Sequence, residues 1–177
     1  TLLENGSIHG FPRAGAEAGE CSGVRSGWLH AVAPTPGELD SIRAAGVPAE
    51  LLSHVDDPDE RPRVEHAGGV VLVVLACPLR RESSPGAPFV TAPLSILLLP
   101  QGVVTVASQP FPFLEPLLAA GDRRATDLRP AEFVLRVFGR VADAYLAAVR
   151  EINASVEQLE DALKRSLRNE EVLGLLD

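Results

Sequence analysis

The chain has 177 residues, 46% hydrophobic and 23% charged, which suits a globular domain with an appendage and excludes a disordered tract. A net charge of −8 leaves no basic footprint for nucleic acid or for an anionic membrane surface. Two cysteines, Cys21 and Cys77, are too few for a disulfide framework, and no apolar stretch reaches the roughly 20 residues that span a bilayer.

Methionine is absent and the chain opens on Thr1, so a longer gene product is expected. No secretion signal is expected from these residues, because no basic segment precedes an apolar one. Residues 1–27, rich in Gly, Ala and Ser, form a poorly defined start, with a short strand expected on either side of the Asn5-Gly6 turn. Trp28 to Val32 reads as a strand. Thr35, Pro36 and Glu38 then spell a capping box with proline at the first helical position. Leu39, Ile42 and Ala45 give that helix one apolar face before Gly46 stops it, and a second short helix is expected from Pro48 to His54. The charged segment from Asp56 to Glu65 enters a strand at Val64, and the Gly68-Gly69 turn leads into VVLVVLACPL, a strand covered on both faces. After a polar loop from Arg80 to Pro88, strands from Val90 to Leu99 and from Val103 to Ser108 form a hairpin through Pro100-Gln101-Gly102. A short amphipathic helix from Phe111 to Ala120 closes the first domain, residues 1–129.

The last part, residues 130–177, reads as one long helix. Val134, Phe138, Val141, Tyr145, Val149, Ile152, Val156, Leu159 and Leu163 recur in steps of three and four, one continuous stripe. Glu160 with Lys164 and Asp161 with Arg165 are acid-before-base pairs one turn apart. At 1.5 Å per residue this helix is roughly 70 Å long. That is longer than the preceding domain is wide, so part of the stripe needs another partner.

Little of the sequence reads as catalytic chemistry. His9, His30, His54 and His66 include no pair at metal-ligand spacing. His30 alternates with Trp28 along a strand face and suits a structural role. Cys77 sits in an apolar strand, where burial blunts a thiol, whereas Cys21 lies among small polar residues. No phosphate-binding glycine loop or nucleophile elbow is present. Hard cations take carboxylate oxygens, which makes Asp56, Asp57, Asp59 and Glu60 one metal candidate, although Arg61 and Arg63 are placed to neutralise them. Glu157, Glu160 and Asp161 on the long helix are the other, weighed against an ordinary solvated face.

The order of these pieces resembles the CorA family of magnesium and cobalt transporters from about Trp28 to the end. It is carried by the Trp28 strand with Pro34-Thr35 and Glu38-Leu39, by Asp57 to Glu65 before Val70 to Leu75, and by Pro78. The strands from Thr91 and from Val103 to Val106 follow, then Arg150 to Asn153 and Gln158 to Leu176. The resemblance implies an α/β/α sandwich with a mixed sheet, followed by a long C-terminal stalk helix truncated before two membrane helices that carry a Gly-Met-Asn loop. It implies a homopentamer whose stalk helices line a funnel, at the cytoplasmic face of the inner membrane, with membrane contact only through the missing helices. It also implies sensing of divalent metal by carboxylates at subunit interfaces. Some relatives place an acidic residue just after the strand that ends near Pro78, where this chain has Arg80, Arg81 and Glu82.

The expected function is the soluble regulatory and funnel domain of a CorA-like divalent-cation transporter. Magnesium or cobalt would be cargo and regulator, with no organic cofactor, no nucleic acid and no enzymatic activity. Glu157, Glu160 and Asp161 are the candidate regulatory metal ligands. The alternative is a free-standing soluble interaction protein that dimerises through the long helix.

Overall fold

The computed structural model describes residues 7–12, 27–55, 57–81, 88–100, 102–119 and 129–174. Among these residues six strands form one sheet: β1 (Ser7–Pro12), β2 (Gly27–Val32), β3 (Arg63–Ala67), β4 (Val70–Arg80), β5 (Phe89–Leu99) and β6 (Gly102–Ala107). Their spatial order is β1-β2-β6-β5-β4-β3. Every neighbouring pair is antiparallel except β2 and β6, so the sheet is mixed, as expected. The parallel contact exists because the chain leaves β2, builds the three-strand meander β3-β4-β5, and returns with β6 beside β2.

Period-two patterning assigns each strand residue to a face. Leu72, Val74, Leu97, Val104 and Val106 point to one side, where they pack with Leu39 and Ile42 of α1 (Pro36–Ala44) and with Leu51 and Leu52. Val73, Cys77, Leu94, Ile96 and Val103 point to the other, against Phe111, Leu114, Leu117 and the start of the long helix. Both faces of β4 and β5 are therefore covered, which is why those strands read as unbroken apolar runs rather than as alternations.

Local chemistry sets the element boundaries. Thr35 and Glu38 form the expected capping box at α1, with Pro36 in its first turn. Ala33 just before it has φ of 45° and donates its N–H to the Ala107 carbonyl at 2.7 Å. This left-handed conformation costs an L-residue about 1–2 kcal/mol and turns the chain off the sheet toward the cap. The short helix expected from Pro48 to His54 is a single 3₁₀ turn, Ala49–Leu52. Pro48 cannot donate to a helix, and only Leu51 and Leu52 find the core. The helix expected from Phe111 divides for a similar reason. Pro112–Leu114 is a 3₁₀ turn, and α2 follows as Glu115–Ala119.

β4 and β5 outrun their neighbours. β3 ends at Arg63 opposite Val74, and β6 ends at Ala107 opposite Leu94. Ala76–Arg80 and Phe89–Pro93 therefore form a two-stranded ribbon. Arg81 donates its N–H to the Pro88 carbonyl at 2.8 Å, which makes their position a hydrogen-bonded pair. By alternation Leu79–Val90 and Cys77–Ala92 are of the same type. Pro78 and Pro93 occupy the intervening pairs, whose backbone polar groups point away from the partner strand. They cost the ribbon no hydrogen bond and remove a donor from each exposed edge, a known protection against stray strand pairing.

The long helix, α3, runs Pro130–Gly174, about 70 Å at 1.5 Å per residue. Pro130 suits its first position, and the Phe133 N–H reaches the Arg129 carbonyl at 3.1 Å. Glu132 accepts the Arg129 backbone N–H at 3.3 Å and its guanidinium at 2.8 Å. Those hydrogen bonds from Arg129 hold the Glu132 carboxyl below its ordinary range. Phe133, Val134, Val137 and Val141 pack into the core beneath the sheet, and Ala148 is buried farther along the helix.

Candidate functional site

The stripe read as continuous in the sequence separates into two seams on α3. Val134 and Val141 belong to the docked one. Phe138, Val149, Ile152, Val156, Leu159 and Leu163 are exposed, Leu159 at 70% and Leu163 at 60%. With Ala142 and Tyr145 the exposed positions fall in strict alternating steps of four and three. This is the 3.5-residue repeat by which one helix packs along another. From Ile152 to Ser166 every described side chain is exposed.

The metal candidates lie on this undocked half. Glu157, Glu160 and Asp161 are all exposed. Glu160 faces Lys164 at 3.8 Å, whereas Arg165 donates from Nε to the Asp161 main-chain carbonyl at 3.1 Å rather than to its carboxylate. Among the described residues no group of three His, Cys, Asp or Glu side chains gathers to hold a metal ion.

The other acidic candidate is a structural turn. Asp59 donates its N–H to Asp57 Oδ1 at 2.9 Å. Glu60 accepts the Arg61 N–H at 2.9 Å, pairs with Arg63, and lies 3.4 Å from His54 Nδ1. Arg63 also donates to Glu65 at 3.0 Å. Of the neutralisation expected from the two arginines, Arg63 supplies that of Glu60 and also balances Glu65, while Arg61 gives Glu60 its backbone N–H. Asp56 lies outside the described residues.

At the ribbon, Arg80 pairs with Glu151 of α3 and stands over the Phe89 ring. Tyr145 donates to the Ala76 carbonyl at 3.0 Å. Ala76 belongs to an outward-turned pair beyond the end of β3, so the tyrosine satisfies an edge carbonyl that has no neighbouring strand among the described residues. Glu82 lies outside the described residues.

Two buried features bear on catalysis, and both read as structural. His30 is 1% exposed, with Nδ1 2.8 Å from Thr105 Oγ1, and the same oxygen accepts the Trp28 indole N–H at 2.8 Å. Oγ1 also lies 3.4 Å from the Leu29 carbonyl, so its proton serves either acceptor and the histidine tautomer follows. Trp28 packs against Phe133 with ring centroids 4.9 Å apart, tying this polar trio to the start of α3. No motif announced it, although Trp28 and His30 share a face through their two-residue spacing.

Cys77 is fully buried, and desolvation pushes its thiol up to about 12 from 9.0. Between those values the unfolded thiol ionises and the folded one does not. Stability therefore falls as pH rises above about 9, at up to about 1.4 kcal/mol per pH unit. In a Cys21→Ser background, which removes the cysteine outside the described residues, a disulfide reagent at pH 8 should leave the native chain unlabelled and label it fully in denaturant. Rapid native labelling would contradict the buried placement.

Comparison with known proteins follows the same outline. The family model described as "CorA-like Mg2+ transporter protein" matches residues 25–177. No curated protein matches the sequence. The soluble domain of CorA from Methanocaldococcus jannaschii superposes with a TM-score of 0.64 at 22% identity, over 77% of this chain and 54% of that one. The complete CorA magnesium transporter from the same organism gives 0.66 at 20% identity, over 77% and 43%. The ZntB cytoplasmic domain from Vibrio parahaemolyticus gives 0.58 at 13% identity, over 73% and 55%. At these identities the superpositions speak to the fold, and the chain spans about half of either soluble domain. Among the described residues no helix is long and apolar enough to cross a membrane.

Proposed function

Because the chain belongs to the CorA-like Mg2+ transporter family, we propose that it is the regulatory part of a divalent-cation transporter, working at the cytoplasmic face of the membrane in a homo-oligomer. The observation that carries the assembly reading is the exposed 3.5-residue seam of α3, whose Val149, Val156, Leu159 and Leu163 stay exposed among the described residues. Burying such a seam between copies removes apolar surface from water at about 25 cal/mol per Å². A pentamer, the number implied by the family, gives each seam a neighbour.

Metal sensing belongs to the same reading. No complete ligand set exists among the described residues of one copy, so a regulatory cation would draw carboxylates from several copies, and it would favour whichever arrangement brings them together. Glu160 follows seam residue Leu159 and stands one turn beyond seam residue Val156, which makes it the nearest to the seam of the three candidates. Glu157 and Asp161 stand one turn apart, farther round the helix. Magnesium and cobalt are the expected cargo and the expected regulators.

The test is cobalt uptake by cells expressing the gene that encodes this chain, with and without Glu160→Gln. Uptake that escapes inhibition by internal magnesium in the variant is the expected result. No uptake above background would remove the transporter reading, and unchanged inhibition would remove Glu160 from the sensor.

A further inference from the structure

We propose that the β4–β5 ribbon and the α3 turns from Tyr145 to Glu151 form a latch that opens and closes as one unit and sets the direction of the undocked half of α3. Among the described residues the ribbon, Ala76–Arg80 with Phe89–Pro93, has no third strand, and two strands alone are marginally stable in water. It persists because α3 lies on it. Ala148 is buried, Tyr145 bonds the Ala76 edge carbonyl at 3.0 Å, and Glu151 pairs with Arg80.

The dependence runs both ways. Glu151 is the last partly buried residue of α3 among those whose side chains are described, so the ribbon is the final support of the helix before it projects free. The closing contact is weak by design of its surroundings. Arg80 and Glu151 side chains are 59% and 41% exposed, a setting in which ion pairs contribute little and salt screens them. A weak terminal clasp on a marginal ribbon is poised to open, while the docking of Phe133, Val137 and Val141 on the wider sheet holds. A change at the undocked half of α3, such as its burial in an assembly, would thereby reach the sheet at Arg80.

Amide hydrogen exchange resolved to these segments tests the latch, in wild type, Glu151→Gln, Tyr145→Phe and the reversed pair Arg80→Glu/Glu151→Arg. Glu151→Gln should speed exchange in the ribbon and in α3 from about Tyr145 to Glu151 by one common factor, roughly 2- to 5-fold. β5–β6 pairing should stay unchanged. Tyr145→Phe should do the same, and the reversed pair should return both segments close to wild type. In 1 M salt the difference between wild type and Glu151→Gln should shrink. Faster exchange in one segment alone, or unchanged exchange in both, would overturn the common unit. Failure of the reversed pair to restore protection would overturn the role of the ion pair.

Discussion

Phe133→Ala is expected to destabilise the chain by about 3–5 kcal/mol, the largest effect anticipated for one residue of α3. Phe133 is 2% exposed and its ring lies 4.9 Å from that of Trp28. Truncation removes its apolar burial, an aromatic pair and the first anchor of the helix, leaving a cavity between α3 and β2. For a domain of this size the melting temperature should fall by about 6–20 °C. Leu135, two residues on and 66% exposed, is the internal control. Its alanine variant should stay within about 0.5 kcal/mol of wild type. Equal losses in the two variants, measured by urea unfolding, would mean that α3 does not dock through the face described.

Thr105→Val carries the second largest expectation, a loss of about 2–4 kcal/mol, because one oxygen serves two buried groups. Valine matches the shape of threonine, so little packing changes. The Trp28 indole N–H loses the Thr105 acceptor at 2.8 Å, and His30 Nδ1 loses its contact with the same oxygen at the same distance. Thr105→Ser keeps the oxygen and gives up one methyl group, a loss of about 1 kcal/mol. Trp28 is the only tryptophan in the chain, so its fluorescence reports the site directly. A valine variant as stable as wild type would show that the trio contributes nothing to folding.

Much of the fold is legible in the sequence because its signals are local. Thr35, Pro36 and Glu38 mark the start of α1 by side-chain chemistry alone, and the Val- and Leu-rich runs of β4 and β5 mark strands covered on both sides. What escapes sequence reading depends on contacts between distant residues. The α3 stripe looks single because steps of three and four fit both a sheet-facing side and a helix-facing side. Only the burial of Val134 and Val141 beside exposed Phe138 and Val149 separates them. Tyr145 reads as another apolar position of that stripe, yet its hydroxyl completes the edge of β4 at Ala76. His30 and Thr105, 75 residues apart in sequence, meet only because β2 and β6 run parallel. The expected Asp161–Arg165 pair fails for a smaller reason, since the guanidinium finds the backbone carbonyl instead. Glu157, Glu160 and Asp161 are legible as helix-face carboxylates, but a metal site that needs several copies leaves no spacing signature in one chain.

The measurement that bears most directly on the regulatory reading is a titration of the purified chain with magnesium, following melting temperature and mass by light scattering together. A cation that binds only the assembled form must raise the melting temperature and shift the mass in step. Both changes are expected at millimolar magnesium, and the loss of both in a Glu157→Gln/Glu160→Gln/Asp161→Asn variant. A melting temperature and mass indifferent to magnesium would contradict metal sensing by this part of the protein.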